Sequence, residues 1–194
     1  MKKYILILLL PYFIYAQNTE QEIFLPTGWS LFSTYIIPEF NNLDDIFSSI
    51  INDIVVIKDE SGNVYWPEYE LDLIESLIIG KSYLIKMNTP HNLTISGSQA
   101  NCNTEINLNN GWNLIGYLNQ SVSSIENQFL PIIDNIVIIK DDSGNVYWPL
   151  YNINLINSLN PGKGYQIKVS SDLSFNYTCE TDCIDYNYNC DGGS

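Results

Sequence analysis

Acid–base and nucleophilic catalysis have few candidate residues in this chain. His91 is the only histidine in 194 residues, and no arginine is present to clamp an anionic substrate. His91 follows Thr89 and Pro90, where an exposed turn residue is the favoured interpretation. A glycosidase needs only two carboxylates, and the repeated Asp59 and Asp141 supply such a pair. Their setting is typical of turn acids, so we predict no catalytic residues and no enzyme activity.

A hard cation could be held by the C-terminal tail. Calcium takes about six to eight oxygen ligands. The tail offers such ligands at alternating positions, namely Asp182, Asp185, Asn187, Asn189 and Asp191. The spacing departs from the EF-hand pattern because no bidentate Glu follows. A polar linker is therefore the favoured interpretation, and calcium in the tail is the only cofactor that we consider.

Two repeated aromatic motifs are the best candidates for a recognition surface. Neutral glycans stack on indole and phenol faces, and nearby Asn and Asp bind their hydroxyls. The candidate residues are Tyr65, Trp66, Tyr69, Tyr147, Trp148 and Tyr151. Alternation along a strand exposes only one residue of each Tyr-Trp pair. We favour core packing for Trp66 and Trp148, and likewise for the repeated Trp29 and Trp112.

Four cysteines are candidates for disulfide bonds. They are Cys102, Cys179, Cys183 and Cys190. Behind a secretory signal, four cysteines indicate two disulfides with three possible pairings. We prefer Cys102 with Cys179, which lie at the boundaries of a repeat, and Cys183 with Cys190.

The aromatic motifs and turn acids above belong to a sequence unit that occurs twice in the chain. Ile54–Lys86 aligns without a gap to Ile136–Lys168, and 22 of the 33 paired positions are identical. We predict a first repeat unit over residues 22–97, a linker over 98–104 and a second unit over 105–178. Residues 179–194 form the Cys-, Asp- and Asn-rich tail. Units of this size are marginal alone, so we expect the two to pack together or to be cross-linked.

The first sixteen residues predict export. Lys2 and Lys3 precede a twelve-residue apolar run, and Ala16 offers a small residue for cleavage. Residues 1–16 are therefore predicted to be a signal peptide, too short in its apolar run for a stable membrane span. Cleavage removes two lysines and no acid, so the formal net charge falls from −14 to −16. Such a chain repels nucleic acids and anionic surfaces.

The periodicity predicts a mainly β (α+β) fold. Each unit is expected to be a small antiparallel sheet or open barrel with one covering helix. Residues 54–58 and 63–66 flank the turn 59–62 as a hairpin. The helix is predicted over 43–50 behind Asn41 or Asn42, and around Val122 to Phe129 in the second unit. A shorter helical turn is predicted over 71–77 and 153–159.

Three segments of the second unit resemble a known module. They are Gly111-Trp-Asn-Leu-Ile-Gly-Tyr117, Lys140-Asp-Asp-Ser-Gly-Asn-Val-Tyr-Trp-Pro149 and Pro161-Gly-Lys-Gly-Tyr-Gln-Ile-Lys168. In these segments the chain is similar to a tandem module of secreted and cell-surface proteins of Gram-negative bacteria that use the type IX secretion route. The first unit departs from the pattern at Ser82, where the second has Gly164. The resemblance implies a module that accompanies other domains and has no assigned catalysis.

These observations predict an exported, extracellular or cell-surface protein. The leading hypothesis is a non-catalytic tandem β module that acts as a spacer, adhesion or assembly element. The alternative is a carbohydrate-binding module with repeated Trp and Tyr platforms. Cell-surface components or glycans are the expected partners, and nucleic acid is not.

Overall fold

The computed structural model describes residues 19–179. Within this range the protein consists mainly of short antiparallel strands, with single-turn 3-10 helices and two short α-helices. The predicted mainly β fold class is confirmed. Of the two predicted forms, the described residues adopt open sheets, and none of these sheets closes into a barrel.

The strands of the central sheet follow the same order in the two halves, and the surrounding short elements differ. The first half contains β1 (Thr19–Leu25), β2 (Gly28–Phe32), β3 (Ile36–Pro38), α1 (Leu43–Ile46), β4 (Ile54–Lys58), β5 (Val64–Trp66), β6 (Leu71–Asp72), β7 (Tyr83–Met87) and β8 (His91–Gln99). The second half contains β9 (Ile106–Leu108), β10 (Gly111–Gly116), β11 (Ser123–Ser124), α2 (Ile125–Phe129), β12 (Ile136–Lys140), β13 (Val146–Trp148), β14 (Ile153–Asn154), β15 (Ser158–Leu159), β16 (Gly164–Val169) and β17 (Leu173–Phe175). The 3-10 helices are Ile51–Asp53, Pro67–Tyr69, Leu130–Asn135 and Pro149–Tyr151.

A five-stranded antiparallel sheet forms the centre of each unit. Its strand order is β2-β7-β4-β5-β6 in the first unit and β10-β16-β12-β13-β14 in the second, which are equivalent strands of the repeat. The register is repeated too, because Trp29 pairs with Lys86 and Trp112 pairs with Lys168. A bulge recurs in β4 and in β12. The two units therefore share one sheet topology, as the sequence identities predict.

The predicted hairpin is present in both units. Ile57 pairs with Tyr65, and Ile139 pairs with Tyr147. Asp59 closes the first turn, since its two carboxylate oxygens accept hydrogen bonds from the backbone and side-chain amides of Asn63, both at 2.8 Å. The Gly62 that follows has φ of 87°, a conformation that glycine adopts readily. The turn chemistry thus lies in the repeated sequence itself.

Smaller sheets cover the ends of each unit. In the first unit β8 lies between β1 and β3. In the second, β9 pairs with β17, and β11 pairs with β15. These strands bring the beginning and the end of each repeat together.

The helices are shorter than predicted. Asn42 caps α1 by accepting the backbone N–H groups of Asp44 and Asp45, but the helix ends at Ile46. Val122 lies outside α2 and is 58% exposed, so its assignment to the apolar helix face was wrong. The predicted helical turns over 71–77 and 153–159 are wrong as well, because these stretches begin as the edge strands β6 and β14. Hydrogen bonding to the neighbouring hairpin strand overrides the weak helical spacing there.

Each unit has its own aromatic-rich core. The short helices end beside Phe47 and Phe129, equivalent residues of the repeat that are fully buried. The Phe47 ring contacts Phe32 at 5.8 Å between centroids, and Phe129 contacts Phe175 at 5.3 Å. Burying such a ring contributes roughly 1.5–3 kcal/mol. One short covering helix per unit is therefore sufficient to close the core over the sheet.

The two units pack through the same surface of each. Phe32 forms an antiparallel bridge with Lys163, and the equivalent Ile115 forms one with Lys81. The backbone N–H of Ser33 donates to the carbonyl oxygen of Gly162 at 3.0 Å. Reciprocally, the N–H of Gly116 donates to the carbonyl oxygen of Gly80 at 2.9 Å. The edge strands β2 and β10 are thus engaged by the partner unit, in the reciprocal manner of a two-fold dimer within one chain.

Small residues make this close approach possible. A Cβ atom on Gly116 would lie 2.7 Å from the Cβ of Ser33, its repeat counterpart. A Cβ on Gly164 would lie 2.5 Å from the Cβ of Ser82, which is also its counterpart. The departure of the first unit from the module pattern at Ser82 is therefore accommodated, because its counterpart Gly164 has no side chain. At each of these two places only one of the two counterparts has room for a side chain.

A disulfide bond joins Cys102 to Cys179, with Cα atoms 5.4 Å apart and 77 residues between them in sequence number. This is the preferred one of the predicted pairings. The loop that it closes encloses the whole second unit. In the chain-entropy description, a loop of this length stabilises the folded state by about 4 kcal/mol.

Candidate functional site

The repeated Tyr-Trp-Pro motifs separate into buried and exposed residues. Tyr65 is 2% exposed and Tyr147 is 4% exposed, so neither offers a ring face to a ligand. They were included as ligand-binding candidates, and the alternation of the strand instead turns them into the core. The Tyr65 hydroxyl donates a hydrogen bond to Asp44 at 2.6 Å. Burial, with the neighbouring Asp44 carboxylate, raises the pKa of Tyr65 well above its ordinary value.

The other four aromatic residues form one corner in each unit. Trp66 and Trp148 are half-buried, while Tyr69 and Tyr151 are 63% and 60% exposed. Trp66 meets Tyr69 edge to face with centroids 4.7 Å apart, and Trp148 meets Tyr151 in the same way at 4.6 Å. The Pro residues begin 3-10 turns that bring these rings together. The tyrosine ring packs against each indole, which reduces the indole area open to a ligand.

Trp29 and Trp112 are the more exposed tryptophans. They are 47% and 48% exposed, so the expectation that they belong to the core was wrong. In β2 the inward positions are taken by Ser30 and Phe32, which leaves Trp29 on the outer face. The paired lysines of the repeat were a signal for this surface, because Lys86 lies directly opposite Trp29 in the register.

Lysine side chains flank both exposed indoles. The Nζ atoms of Lys58 and Lys86 lie 5.5 and 5.9 Å from the centre of the Trp29 ring. Lys140 Nζ lies 5.0 Å from the Trp112 ring. These are cation–π contacts, each worth about 0.5–1 kcal/mol at an exposed site. They fix the orientation of the two indoles on the surface.

A groove between the units lies beside Trp112. It is lined by Asp59, Glu60 and Leu84 of the first unit and by Trp112, Asn113, Leu114 and Gln166 of the second. Glu60 pairs with Lys81 at 2.9 Å. An exposed aromatic ring, carboxylates and an amide therefore meet in one concave surface. This groove could not be predicted from the sequence because its two walls come from different units.

The repeated turn acids have structural partners. Asp141 accepts two hydrogen bonds from Asn145 at 2.8 Å, as Asp59 does from Asn63. Asp142 accepts the backbone N–H of Leu31 in the other unit at 3.2 Å and lies 3.8 Å from Lys163. Asp59 and Asp141 thus stabilise their own hairpin turns, and Asp142 contacts the partner unit.

His91 begins β8 and is not in a turn. Its Nε2 atom lies 2.8 Å from Asp53 and 3.1 Å from the Thr89 hydroxyl. Hydrogen bonds from Thr89 and His91 lower the pKa of Asp53. A catalytic relay needs the acid and the nucleophile on opposite ring nitrogens, and here both lie at Nε2.

Several predicted features lie outside the described residues. They are the signal peptide over residues 1–16, the tail cysteines Cys183 and Cys190, and the tail calcium ligands Asp182, Asp185, Asn187, Asn189 and Asp191. Between residues 19 and 179, no three His, Cys, Asp or Glu side chains lie together in a way that could hold a metal ion. Over the same range, no helix has the length and apolar character to cross a membrane.

Comparison of the chain with protein-family models, with curated proteins and with solved structures found no significant match.

Proposed function

We propose that this protein is an exported, non-catalytic tandem β module that acts as a rigid spacer, adhesion or assembly element. The observation that carries the proposal is the reciprocal packing of the two units. Ser33 and Gly116 each donate a backbone hydrogen bond into the partner unit, at 3.0 and 2.9 Å. Two units joined by a flexible linker would not require such a contact, whereas a spacer of fixed length does.

The disulfide supports the exported location. Disulfides persist in oxidising compartments and are rare in the reducing cytosol. The Cys102–Cys179 bond ties the end of the second unit to the segment before it. Together with the predicted signal peptide and the resemblance to modules of type IX secretion clients, it favours an extracellular or cell-surface site.

The partners of the acids and of His91 support a non-catalytic role. Asp59 and Asp141 are both engaged with asparagines of their own turns. His91 shares one ring nitrogen between Asp53 and Thr89. These groups contribute to local structure.

Rotational diffusion tests the spacer proposal. We expect backbone ¹⁵N relaxation to give one overall tumbling time for amides of both units, because the interface and the disulfide couple them. Two distinct tumbling times would contradict a rigid spacer. Mass spectrometry of the exported product tests the location, with a mature chain that begins near Gln17 as the expected result.

A second candidate function is a carbohydrate-binding module. The exposure of Trp29 and Trp112 favours it, because large flat aromatic faces at a protein surface suit the apolar faces of sugars. Retention on insoluble polysaccharides tests this candidate. A protein that passes through neutral, acidic and basic polysaccharides alike would leave only the spacer role.

A further inference from the structure

We infer that the groove between the two units, with Trp112 as its platform, binds a neutral sugar of a polysaccharide. The inference rests on the second candidate function and gives it a site and a ligand class. It differs from the sequence-based assignment, which placed the platforms at the Trp66 and Trp148 corners. The groove lies elsewhere, where β10 and β16 face the hairpin of the first unit.

The Trp112 ring is prepared for stacking. It is 48% exposed, lines the groove, and is held by Lys140 at 5.0 Å from its centre. A ring that is already oriented loses little side-chain entropy when a ligand stacks on it. The Trp66 ring is less suitable, since it is less exposed than Trp112 and Tyr69 packs against it with ring centroids 4.7 Å apart.

Polar groups around the platform match sugar hydroxyls. Gln166 brings an amide that both donates and accepts, and Glu60 brings a carboxylate that accepts. The backbone of β10 adds a donor. Gly116 donates its N–H to Gly80 of the first unit, and N–H groups two residues apart on a strand point to the same side. The N–H of Leu114 therefore points from β10 toward the first unit as well.

The charges of the groove favour an uncharged sugar. Asp59 and Glu60 would repel a uronate. Neither carboxylate is free to hold the ammonium group of an amino sugar, because Glu60 pairs with Lys81 and Asp59 with Asn63. Screening reduces interactions beyond about 8 Å at physiological salt, so these nearby groups decide the selectivity. The overall formal charge of −14 acts in the same direction against acidic polymers.

The equivalent surface beside Trp29 is arranged differently. There Asp142 accepts the N–H of Leu31 at 3.2 Å, so this carboxylate is used by the protein itself. Its counterpart Glu60 lines the groove and pairs with Lys81 at 2.9 Å, as Asp142 pairs with the equivalent Lys163 at 3.8 Å. The two sides of the repeat are therefore not equal, because the loop carboxylate beside Trp29 is bonded to the partner strand, whereas the one beside Trp112 lines a groove. Trp29 provides a matched control, since it is 47% exposed and lysines likewise lie over its ring, Lys58 and Lys86.

Affinity electrophoresis of the full chain tests the inference. The probes are the neutral polysaccharides dextran, mannan, laminarin and hydroxyethyl cellulose, with alginate as an acidic probe and chitosan as a basic one. We expect retardation by at least one neutral probe and a weaker effect of the two charged ones. Trp112→Ala should lower the affinity about 30-fold, as truncation of an aromatic hot spot does. Gln166→Ala should lower it several-fold, and Trp29→Ala should leave it unchanged.

The outcomes separate the inference from the function on which it rests. Binding that survives Trp112→Ala but is lost in Trp66→Ala or Trp29→Ala overturns the groove and leaves a carbohydrate-binding module. Preference for alginate or chitosan overturns the ligand class. No binding to any probe overturns both the groove and the carbohydrate candidate. Circular dichroism and the melting temperature of each variant check that the fold is intact, which we expect because Trp112 is half exposed.

Discussion

Two substitutions at one contact between the units, Gly164→Ala and Ser82→Gly, test the steric basis of their packing. A Cβ on Gly164 would lie 2.5 Å from the Cβ and 2.8 Å from the Oγ of Ser82, and 3.2 Å from the Cβ of Leu31. Carbon atoms attract best at about 3.5–4.0 Å, so Gly164→Ala must push the units apart by on the order of 1 Å. We therefore expect the variant to be destabilised.

The magnitude follows from two opposing effects. Overpacking of a well-packed site costs about 1–3 kcal/mol. Gly164 lies in a strand without positive φ, so alanine suits its backbone and recovers about 0.4–1 kcal/mol through the unfolded chain. The net loss in free energy of unfolding should be about 1–2 kcal/mol. For a chain of this size, that corresponds to a fall in melting temperature of roughly 2–8 °C.

The double variant supplies the decisive comparison. Ser82→Gly alone leaves a small gap at the interface and increases the backbone entropy of the unfolded chain. Together these effects should lower the free energy of unfolding by about 1 kcal/mol. With Gly164→Ala and Ser82→Gly together, a side chain stands on the second unit instead of the first. The clash with Ser82 is removed, and only the 3.2 Å contact with the Cβ of Leu31 remains tight. We expect a stability within about 0.5 kcal/mol of the wild type and a coupling energy of about 2 kcal/mol.

Urea unfolding, followed by tryptophan fluorescence and far-ultraviolet circular dichroism, measures all four proteins. A Gly164→Ala protein as stable as the wild type would refute the steric argument. So would a double variant whose destabilisation is the sum of the two single effects, because the two positions would then not be in contact.

Three further predictions concern the disulfide, the buried tyrosines and the half-buried tryptophans. Replacing both Cys102 and Cys179 by Ser should lower the free energy of unfolding by about 2–5 kcal/mol in urea titrations, and the reduced wild type should match the variant; an unchanged midpoint would show that the loop closure contributes nothing. Burial raises the pKa of Tyr165 to about 12 from its ordinary value near 10. The stability that this shift contributes is complete below pH 10 and is lost as the pH rises through about 12, so the last rise in tyrosinate absorbance should coincide with alkaline unfolding. A tyrosinate titration that is complete while the protein is still folded would contradict the assignment. Trp66→Ala and Trp148→Ala should each cost about 2 kcal/mol, less than the 3–5 kcal/mol typical of a fully buried Trp, and a loss near zero in urea unfolding would place both residues on an open surface.

The sheet could be predicted from the sequence because its signals are local. Asp59 to Asn63 carry the turn chemistry, and the flanking strands alternate in the ordinary way. Repetition of the segment then predicts that the second unit has the same topology. The predicted helices failed in length because three or four apolar residues at helical spacing also suit a turn followed by a 3-10 helix, as at Ile51–Asp53.

The exposure of Trp29 could not be predicted because β2 departs from simple alternation. Leu31 is on the same face as Trp29 but is 3% exposed, and it does not belong to the core cluster of its unit. Its backbone N–H instead meets Asp142 of the second unit. The partner unit covers one end of the outer face and leaves the other end open. The apolar residues of this strand therefore lie in two environments, the core of their own unit and the interface with the partner unit. Only the packing of the units shows which residue lies in which environment.

Fusion of the two units in one chain explains the differences between them. At the interface Gly164 faces Ser82 and Gly116 faces Ser33, so each residue meets its own repeat counterpart. In a symmetric dimer of separate chains, both counterparts would be the same residue, and two serines would clash at each place. A duplicated chain can place a side chain on one side and a glycine on the other. The same freedom lets Asp142 bind the backbone of its neighbour while Glu60 lines the groove. The groove beside Trp112 likewise needs both units, because Asp59 and Glu60 of the first face Trp112 of the second across it.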